Sequence, residues 1–305
     1  MRRKFYTILK ENHKSLEVVP DNTQVVALQA KGTRPPFFMI DSYPYFIDVV
    51  KLTGSDQPVL SIIGQEDTQL SDDYSIFDEA NAHMKTILIH QPHGPYMLGG
   101  CSASGIVAYE IAQRLRALGN EVGLLVLFDT PNPHFMREYS DFWMSVTSYR
   151  SDLSKLQWNE IPGWVMDKFR RLKEGKPGWL PWKWNIVNPT RRLMDEFGPL
   201  SARVTAARKY RPAAYSGRCL LIKRDRELIG RYRDPHFGWS QVIEDEIEVC
   251  KVSATDHLEI FKSERDRMLV AQALRSSIDK VVGTSLGSVD VERDSAMGQA
   301  VLSHS

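Results

Sequence analysis

Residues 95–106, PYMLGGCSASGI, place an apolar run directly before a row of small residues that contains two serines. A strand that ends in Gly-x-Ser and turns at once into a helix is the sequence form of a nucleophile elbow. Because the chain turns sharply at the serine, bulky neighbours would collide with the strand and the helix, and Gly100, Ala103 and Gly105 are all small. The pattern predicts that Ser102 is presented by the turn as a nucleophile.

The motif departs at one position from the usual Gly-x-Ser-x-Gly pattern. Ser104 stands two residues after Ser102, and the expected glycine follows one residue later as Gly105. Serine is small, so we expect the turn to survive. A phosphate-binding loop is disfavoured, since the sequence contains no G-x-x-x-x-G-K-[ST]. A tight strand-to-helix turn without catalytic chemistry remains an alternative.

Segments typical of strands and of helices alternate on both sides of this motif. Residues 122–130, VGLLVLFDT, are apolar almost throughout, as expected of a central parallel strand that is covered on both faces. The alternation predicts an α/β fold in which helices flank a mostly parallel sheet. Further strands are predicted at residues 37–40, 58–64, 95–100, 217–225 and 246–252, and helices at 76–91, 105–119 and 263–282.

The alternation breaks between about residues 133 and 208. All the tryptophans except Trp239 lie there, and proline and glycine interrupt the helical segments. We interpret residues 133–208 as an inserted helical subdomain of an α/β domain that spans residues 24–282. Residues 1–23 are predicted to be an N-terminal extension or linker, and the small, polar residues 283–305 a disordered tail.

Composition excludes several classes of function. Lys and Arg number 39 against 38 Asp and Glu, a net charge of +1, which provides no general attraction for nucleic acid or an anionic membrane. The three cysteines are far apart and lack metal-ligand spacing, which predicts no metal site and suits a reducing compartment. We find neither a signal peptide nor an apolar run of about 20 residues, so we expect a cytoplasmic protein.

A serine nucleophile needs a histidine base and a carboxylate that orients it. His257, in SATDHLEIF, follows a predicted strand and precedes the last helix, so it is the histidine best placed to reach the elbow. Two acids compete for the third role, because Asp129 and Asp225 each end a strand at the edge where ligands gather in such sheets. Both remain open on this reasoning.

Together these segments resemble the thioesterase domains that end polyketide and nonribosomal peptide assembly lines, within the α/β-hydrolase superfamily. The resemblance covers about residues 24–280 and rests on VVALQAKGTRPPFFMI, PYMLGGCSASGIVAYEIAQRL, LLVLFDTPNP, KYRPAAYSGRCLLIKRDRE, DPHFGWSQV and VSATDHLEIF. In this family the acid follows the strand after the elbow, which implies Asp129 rather than Asp225. The insertion at 133–208 corresponds to the family's helical lid. Aspartate before His257 and leucine after it are similar to the release domains at the ends of synthases.

The resemblance also implies the oxyanion hole, with N–H groups from Ala103 and Tyr43. Here the sequence departs from the family, because the turn after the first parallel strand, IDSYPYF, lacks the usual glycine. The implied substrate is an acyl, polyketide or peptidyl chain on the phosphopantetheine arm of an acyl or peptidyl carrier protein, with no cofactor. It would be released through an acyl-Ser102 intermediate by hydrolysis or cyclisation. A carboxylesterase or lipase with the same triad, and a catalytically weakened binding protein, are the alternatives.

Overall fold

A seven-stranded sheet organises the part of the chain that the computed structural model describes, namely residues 25–42, 45–63, 74–133, 157–163, 165–166, 199–225, 234–254 and 259–302. The strands are numbered in the order in which they occur along the chain. They are β1 (Val25–Gln29), β2 (Phe37–Ile40), β3 (Val59–Ile62), β4 (Tyr96–Cys101), β5 (Val122–Phe128), β6 (Cys219–Arg224) and β7 (Ile247–Val252).

The strands lie side by side in the order β1-β3-β2-β4-β5-β6-β7. β1 runs antiparallel to β3, and the six strands other than β1 run parallel to one another. The predicted mostly parallel sheet is therefore confirmed. Ile40 pairs with Gly100, Cys101 with Phe128, and Phe128 with Ile222, so the chain leaves β2, β4, β5 and β6 at one common edge.

The apolar run of β5 supplies both faces of the sheet. Leu125 and Leu127 belong to one buried hydrophobic cluster, whereas Leu124, Val126 and Phe128 belong to the other. This alternation follows from the two-residue period of a strand. A strand between two apolar layers has no solvent-exposed face, which explains why 122–128 has almost no polar residue.

Five helices cover the two faces in the described part of the chain. They are α1 (Phe46–Leu52), α2 (Ile76–His90), α3 (Ala103–Ala117), α4 (Pro199–Lys209) and α5 (Glu264–Leu302). Buried residues of α2, α3 and α4 join the cluster that contains Leu125, and those of α1 and α5 join the cluster that contains Leu124. None of the described helices is long and apolar enough to cross a membrane.

Two predicted boundaries are corrected. The last helix does not end at residue 282 but continues to Leu302, so the structure has helix where a disordered tail was expected from Gly283. The segment contains no proline, and nothing in its sequence forces the helix to stop. The predicted insertion also extends too far, because α4 contributes Ala207 to the core and packs on α2 and α3.

Several predicted features lie outside the described residues. They include the extension 1–23, most of the insertion with five of its tryptophans (Trp143, Trp164, Trp179, Trp182 and Trp184), Tyr43 and His257. Within the insertion Trp158 is described, and it is 90% exposed, so it does not pack on the sheet. The assignments of Tyr43 and His257 therefore stay predictions.

Candidate active site

Ser102 occupies the sharp turn between β4 and α3. Its backbone has φ 54° and ψ −122°, a conformation that residues with a side chain rarely adopt and that is found mainly at functional sites. The turn closes with a 3.1 Å hydrogen bond from the Gly105 N–H to the Ser102 carbonyl. The Ser102 side chain is partly exposed and makes no capping hydrogen bond to α3, a helix that the structure describes throughout. The hydroxyl is thus available at the positive end of a helix dipole.

Small residues are required around this turn because backbone atoms pass close to the α-carbon of Gly100 and the Thr130 side chain passes close to that of Gly105. A β-carbon on Gly100 would lie 2.3 Å from the Ser104 carbonyl oxygen, and one on Gly105 would lie 2.1 Å from the Thr130 hydroxyl oxygen. Thr130 is fully buried beneath the elbow, with its hydroxyl 3.0 Å from the Phe128 carbonyl oxygen and 3.2 Å from that of Ser102. Ser104 is tolerated because its side chain points away from these contacts, toward Asp41.

We expect Gly100→Ala to destabilise the protein and to impair the elbow. The added methyl group meets backbone rather than a movable side chain, so Ser104 must shift, at a cost of about 1–3 kcal/mol in the free energy of unfolding. Gly283→Ala is the control, because nothing lies within 4 Å of its β-carbon position and alanine favours the helix. Thermal unfolding should show a lower midpoint for Gly100→Ala and an equal or higher one for Gly283→Ala. Equal midpoints for both variants would contradict the steric argument.

Asp129 follows β5 at the same edge as Ser102. Its backbone has φ 43°, its N–H donates to the Ile222 carbonyl at 2.7 Å, and its side chain is only 1% exposed. The Ser102 N–H donates to the Phe128 carbonyl at 2.9 Å, so Ser102 and Asp129, the predicted nucleophile and acid, leave two hydrogen-bonded strands at adjacent positions. The geometry brings Ser102 and Asp129 to one place.

Arg224, at the end of β6, contacts the Asp129 carboxylate. Its Nε lies 2.5 Å from Oδ2, and its backbone N–H donates to Oδ1 at 3.4 Å. The competing acid Asp225 has a different environment, since its side chain is 61% exposed and its nearest described cation, Lys251, is 3.9 Å away. A buried, fixed carboxylate suits the orientation of a histidine better than an exposed one.

Cys101 directly precedes Ser102, and its environment does not suit a second nucleophile. The thiol is buried, and this burial, together with the charge of Asp129, raises the pKa of Cys101. Because the reactive form of cysteine is the thiolate, a raised pKa leaves the group inert at neutral pH. Ser102 therefore stays the predicted nucleophile of this turn.

The loop at residues 234–243 supports the segment after Asp129. Trp239 is fully buried, donates from Nε1 to the Thr130 carbonyl at 2.6 Å and stacks on Tyr109 with ring centroids 4.6 Å apart. Asn132 donates from its side chain to the Gly238 carbonyl at 3.0 Å. The DPHFGWSQV segment thus supports the residues that follow the acid.

A cluster of charged side chains lies next to the elbow. Asp41 follows β2, Glu79 lies on α2, and the Arg203 guanidinium from α4 bonds both carboxylates. Oxygen and nitrogen atoms of Asp41, Glu79 and His83 lie within 4.8 Å of one another, which is the one arrangement among the described residues that could hold a metal ion. Since Arg203 already places a cation between these carboxylates, we assign the cluster as a salt-bridge network.

Sequence reasoning did not identify Arg203, Arg224 or Thr130 as parts of this site. Arg203 falls within the predicted insertion, and Arg224 was recognised only as part of a strand. The hydrogen bond between Arg224 and Asp129 joins residues 95 positions apart. One indication was available for Thr130, because it directly follows the predicted acid.

Comparisons with known proteins agree with this geometry. The model of the thioesterase domain family matches residues 63–270. Malpibaldin synthetase of Mortierella alpina is 28% identical over 253 residues, which are 79% of this chain and 4% of that protein. Non-reducing polyketide synthase CTB1 of Cercospora nicotianae is 36% identical over 105 residues, 32% of this chain and 5% of the synthase. The chain thus spans only a small part of the length of these relatives.

A solved structure has the same fold. The NocB thioesterase domain, crystallised as a covalent complex with a fluorophosphonate nocardicin G analogue, superposes with a TM-score of 0.54 at 21% identity. The match covers 84% of this chain and 100% of that domain. At this identity the likeness establishes the fold alone, and it confirms the predicted α/β-hydrolase architecture.

Proposed function

This chain belongs to the thioesterase domain family, and from that membership we propose that it releases an acyl, polyketide or peptidyl chain from the phosphopantetheine arm of a carrier protein. The observation that supports the chemistry best is the strained, partly exposed Ser102 in the turn between β4 and α3. The names of the synthetase and the polyketide synthase support a thioester substrate of this kind.

In the proposed first step, Ser102 Oγ attacks the thioester carbonyl while His257 accepts the hydroxyl proton. The carbon–sulfur bond then breaks, and His257 returns the proton to the departing phosphopantetheine thiol. This leaves an ester between the acyl chain and Ser102. Water, or a hydroxyl or amine of the acyl chain itself, then attacks this ester, so that the product is either a free acid or a ring.

Asp129 is the proposed third member of the triad. A carboxylate beside the imidazole holds His257 in one orientation and stabilises its charged form. The burial of Asp129 and its position beside the Ser102 strand support this role. The Arg224 guanidinium, at the end of the neighbouring strand β6, holds the Asp129 carboxylate in place.

The Ala103 and Tyr43 N–H groups are the proposed oxyanion hole. Ala103 is the first residue of α3, so its N–H is among those that have no partner within the helix. Losing one such donor typically costs about 100- to 1000-fold in turnover. The acyl or peptidyl carrier protein is the proposed partner, and we propose a cytoplasmic location without a cofactor, a metal, nucleic acid or a membrane.

We expect the purified protein to hydrolyse an acyl-phosphopantetheine thioester faster than the matching oxygen ester. The experiment compares kcat/KM for the same acyl group on the two leaving groups, with labelling of Ser102 by a fluorophosphonate as a second measurement. Preference for the thioester supports the proposal. Preference for the oxygen ester would instead favour a carboxylesterase or lipase.

Absence of both turnover and Ser102 labelling would favour a binding protein. Trapping the acyl-Ser102 ester from a mixture of carrier-bound acyl chains, followed by mass spectrometry, would identify the substrate. Ser102→Ala provides the matched control, because it removes the atom that carries the acyl group.

A further inference from the structure

Arg203 is held rigidly on one side by Glu79. Its Nε donates to Glu79 Oε2 at 3.0 Å, and its Nη2 contacts Oε1, so the guanidinium binds the carboxylate with two parallel bonds. Glu79 also accepts a bond from the Tyr74 hydroxyl and lies 3.2 Å from His83 Nε2. Glu79 and His83 lie on α2, so this helix fixes the position of the Arg203 head group.

The other side of the same guanidinium, which carries Nη1, faces the turn after β2. Arg203 Nη1 lies 2.6 Å from Asp41 Oδ2, and the Arg203 side chain is 16% exposed. Burial opposes the charge, but the Asp41 and Glu79 carboxylates outweigh it and raise the pKa of Arg203, so the ion pairs persist at neutral pH. Asp41 has φ 46°, which is the left-handed region that glycine adopts without cost and that aspartate tolerates.

The two departures from the glycine patterns of the fold meet at this point. The Ser104 hydroxyl donates to Asp41 Oδ2 at 3.4 Å, and Arg203 Nη1 lies 3.5 Å from Ser104 Oγ. In the usual motifs, glycines occupy the turn after this strand and the second position after the nucleophile. Here Asp41 lies in the first segment and Ser104 at the second position, and Arg203 contacts both.

We propose that Arg203 is a positioning residue that holds the turn after β2 beside the nucleophile elbow, mainly through its ion pair with Asp41 and to a smaller extent through the longer contacts of Arg203 and Asp41 with Ser104. Ala103 directly precedes Ser104, and Tyr43 lies two residues after Asp41. The two proposed oxyanion donors therefore belong to the segments that Arg203 joins. This inference rests on the proposed function, since it concerns where the oxyanion donors lie.

The position of an oxyanion donor decides whether it contributes to catalysis. An oxyanion donor acts only if its N–H lies within about 2.7–3.1 Å of the developing charge. A misplacement of about 1 Å can cost about 100-fold in rate. A glycine-rich turn reaches such positions by backbone freedom alone, whereas a turn without glycine needs an external contact that holds its left-handed residue in place.

Asp41→Asn is the variant that tests the proposal most directly. Asparagine keeps the shape and tolerates the left-handed conformation, but it removes the charge that pairs with Arg203. We expect kcat on an acyl thioester to fall by about 10- to 100-fold with KM changed less than about threefold. Asp56→Asn is the matched control, since Asp56 pairs with Arg275 at 2.8 Å but lies before β3, at the opposite edge of the sheet.

A second arm restores glycine. In the Asp41→Gly/Ser104→Gly background the turn no longer depends on the ion pair, so Arg203→Lys should lower kcat by less than about threefold there. In the otherwise unchanged protein, Arg203→Lys should lower kcat by about tenfold or more, because lysine cannot bond Glu79 twice and Asp41 at once. If Arg203→Lys does not fold, the Asp41→Asn measurement decides alone.

The possible results distinguish a failure of the proposed function from a failure of the proposed role of Arg203. A wild-type chain with no thioester turnover and no Ser102 labelling would overturn the proposed function and this inference with it. An active wild type in which Asp41→Asn keeps its kcat, or loses it no more than Asp56→Asn, would overturn the inference alone. Equal effects of Arg203→Lys in both backgrounds would do the same, because they would indicate a purely structural role.

Discussion

Ser102→Ala is expected to lower turnover of an acyl thioester by about 10⁴- to 10⁶-fold. Ser102 holds the strained position in the turn between β4 and α3, and the neighbouring Cys101 thiol is buried. We therefore expect Ser102, and not Cys101, to form the acyl-enzyme. The measurement is single-turnover kinetics on a thioester, together with fluorophosphonate labelling.

Ser104→Ala is the comparison variant for this prediction. Its hydroxyl makes only long hydrogen bonds, of 3.4 and 3.5 Å, so we expect a loss of less than about tenfold in turnover. Both variants should unfold near the wild-type midpoint, since alanine and serine have similar volumes and, at position 102, similar strain at φ 54°. Loss of acylation in Ser104→Ala, with acylation retained in Ser102→Ala, would show that the elbow lies in another register.

Asp129→Asn is expected to lower kcat by about 10³- to 10⁴-fold, and Asp225→Asn by less than about threefold. Asp129 is buried beside the strand that ends at Ser102, whereas the Asp225 side chain is 61% exposed and lies near Lys251. An amide at position 129 cannot stabilise a charged imidazole. If Asp225→Asn lowered kcat more than Asp129→Asn, the catalytic acid would be the one that follows β6 rather than β5. That result would favour the esterase alternative.

The pairing of Asp129 with Arg224 complicates this experiment and also provides its control. Asparagine at 129 removes the carboxylate charge that the Arg224 guanidinium contacts, and removing one member of a buried ion pair costs about 3–5 kcal/mol in the free energy of unfolding. The double variant Asp129→Asn/Arg224→Gln removes the guanidinium charge as well. We expect it to regain thermal stability but not activity. Recovery of both would mean that the single variant was inactive because it was poorly folded.

Much of the fold could be predicted along the chain, because its causes are local. The uninterrupted apolar run of β5 indicates burial on both faces, and the structure places alternate residues in two separate clusters. The crowding around Ser102 is also local, since it arises where a strand meets a helix, and the choice of glycine at positions 100 and 105 already indicates it in the amino-acid sequence.

Other parts of the site depend on which distant segments of the chain come into contact. The hydrophobic periodicity of the sequence does not indicate such contacts. Arg203 acts on Asp41 and Glu79 from a helix that the sequence assigned to an insertion, and the structure places Ala207 of the same helix in the core. The end of α5 was missed for the opposite reason. Small and polar residues suggested disorder, although none of them prevents a helix from continuing to Leu302.

The sequence by itself determined the strand-to-helix turn at Ser102 and the parallel sheet, because both follow from side-chain size and hydrophobic period over a few residues. Only the tertiary structure decided which charges neutralise one another. Arg224 meets Asp129 because β5 and β6 are adjacent, and Arg203 meets Asp41 because α4 packs beside α2 and α3 at the edge where β2 ends. An ion pair depends on distance in space, and here that distance was set by the order of the strands in the sheet.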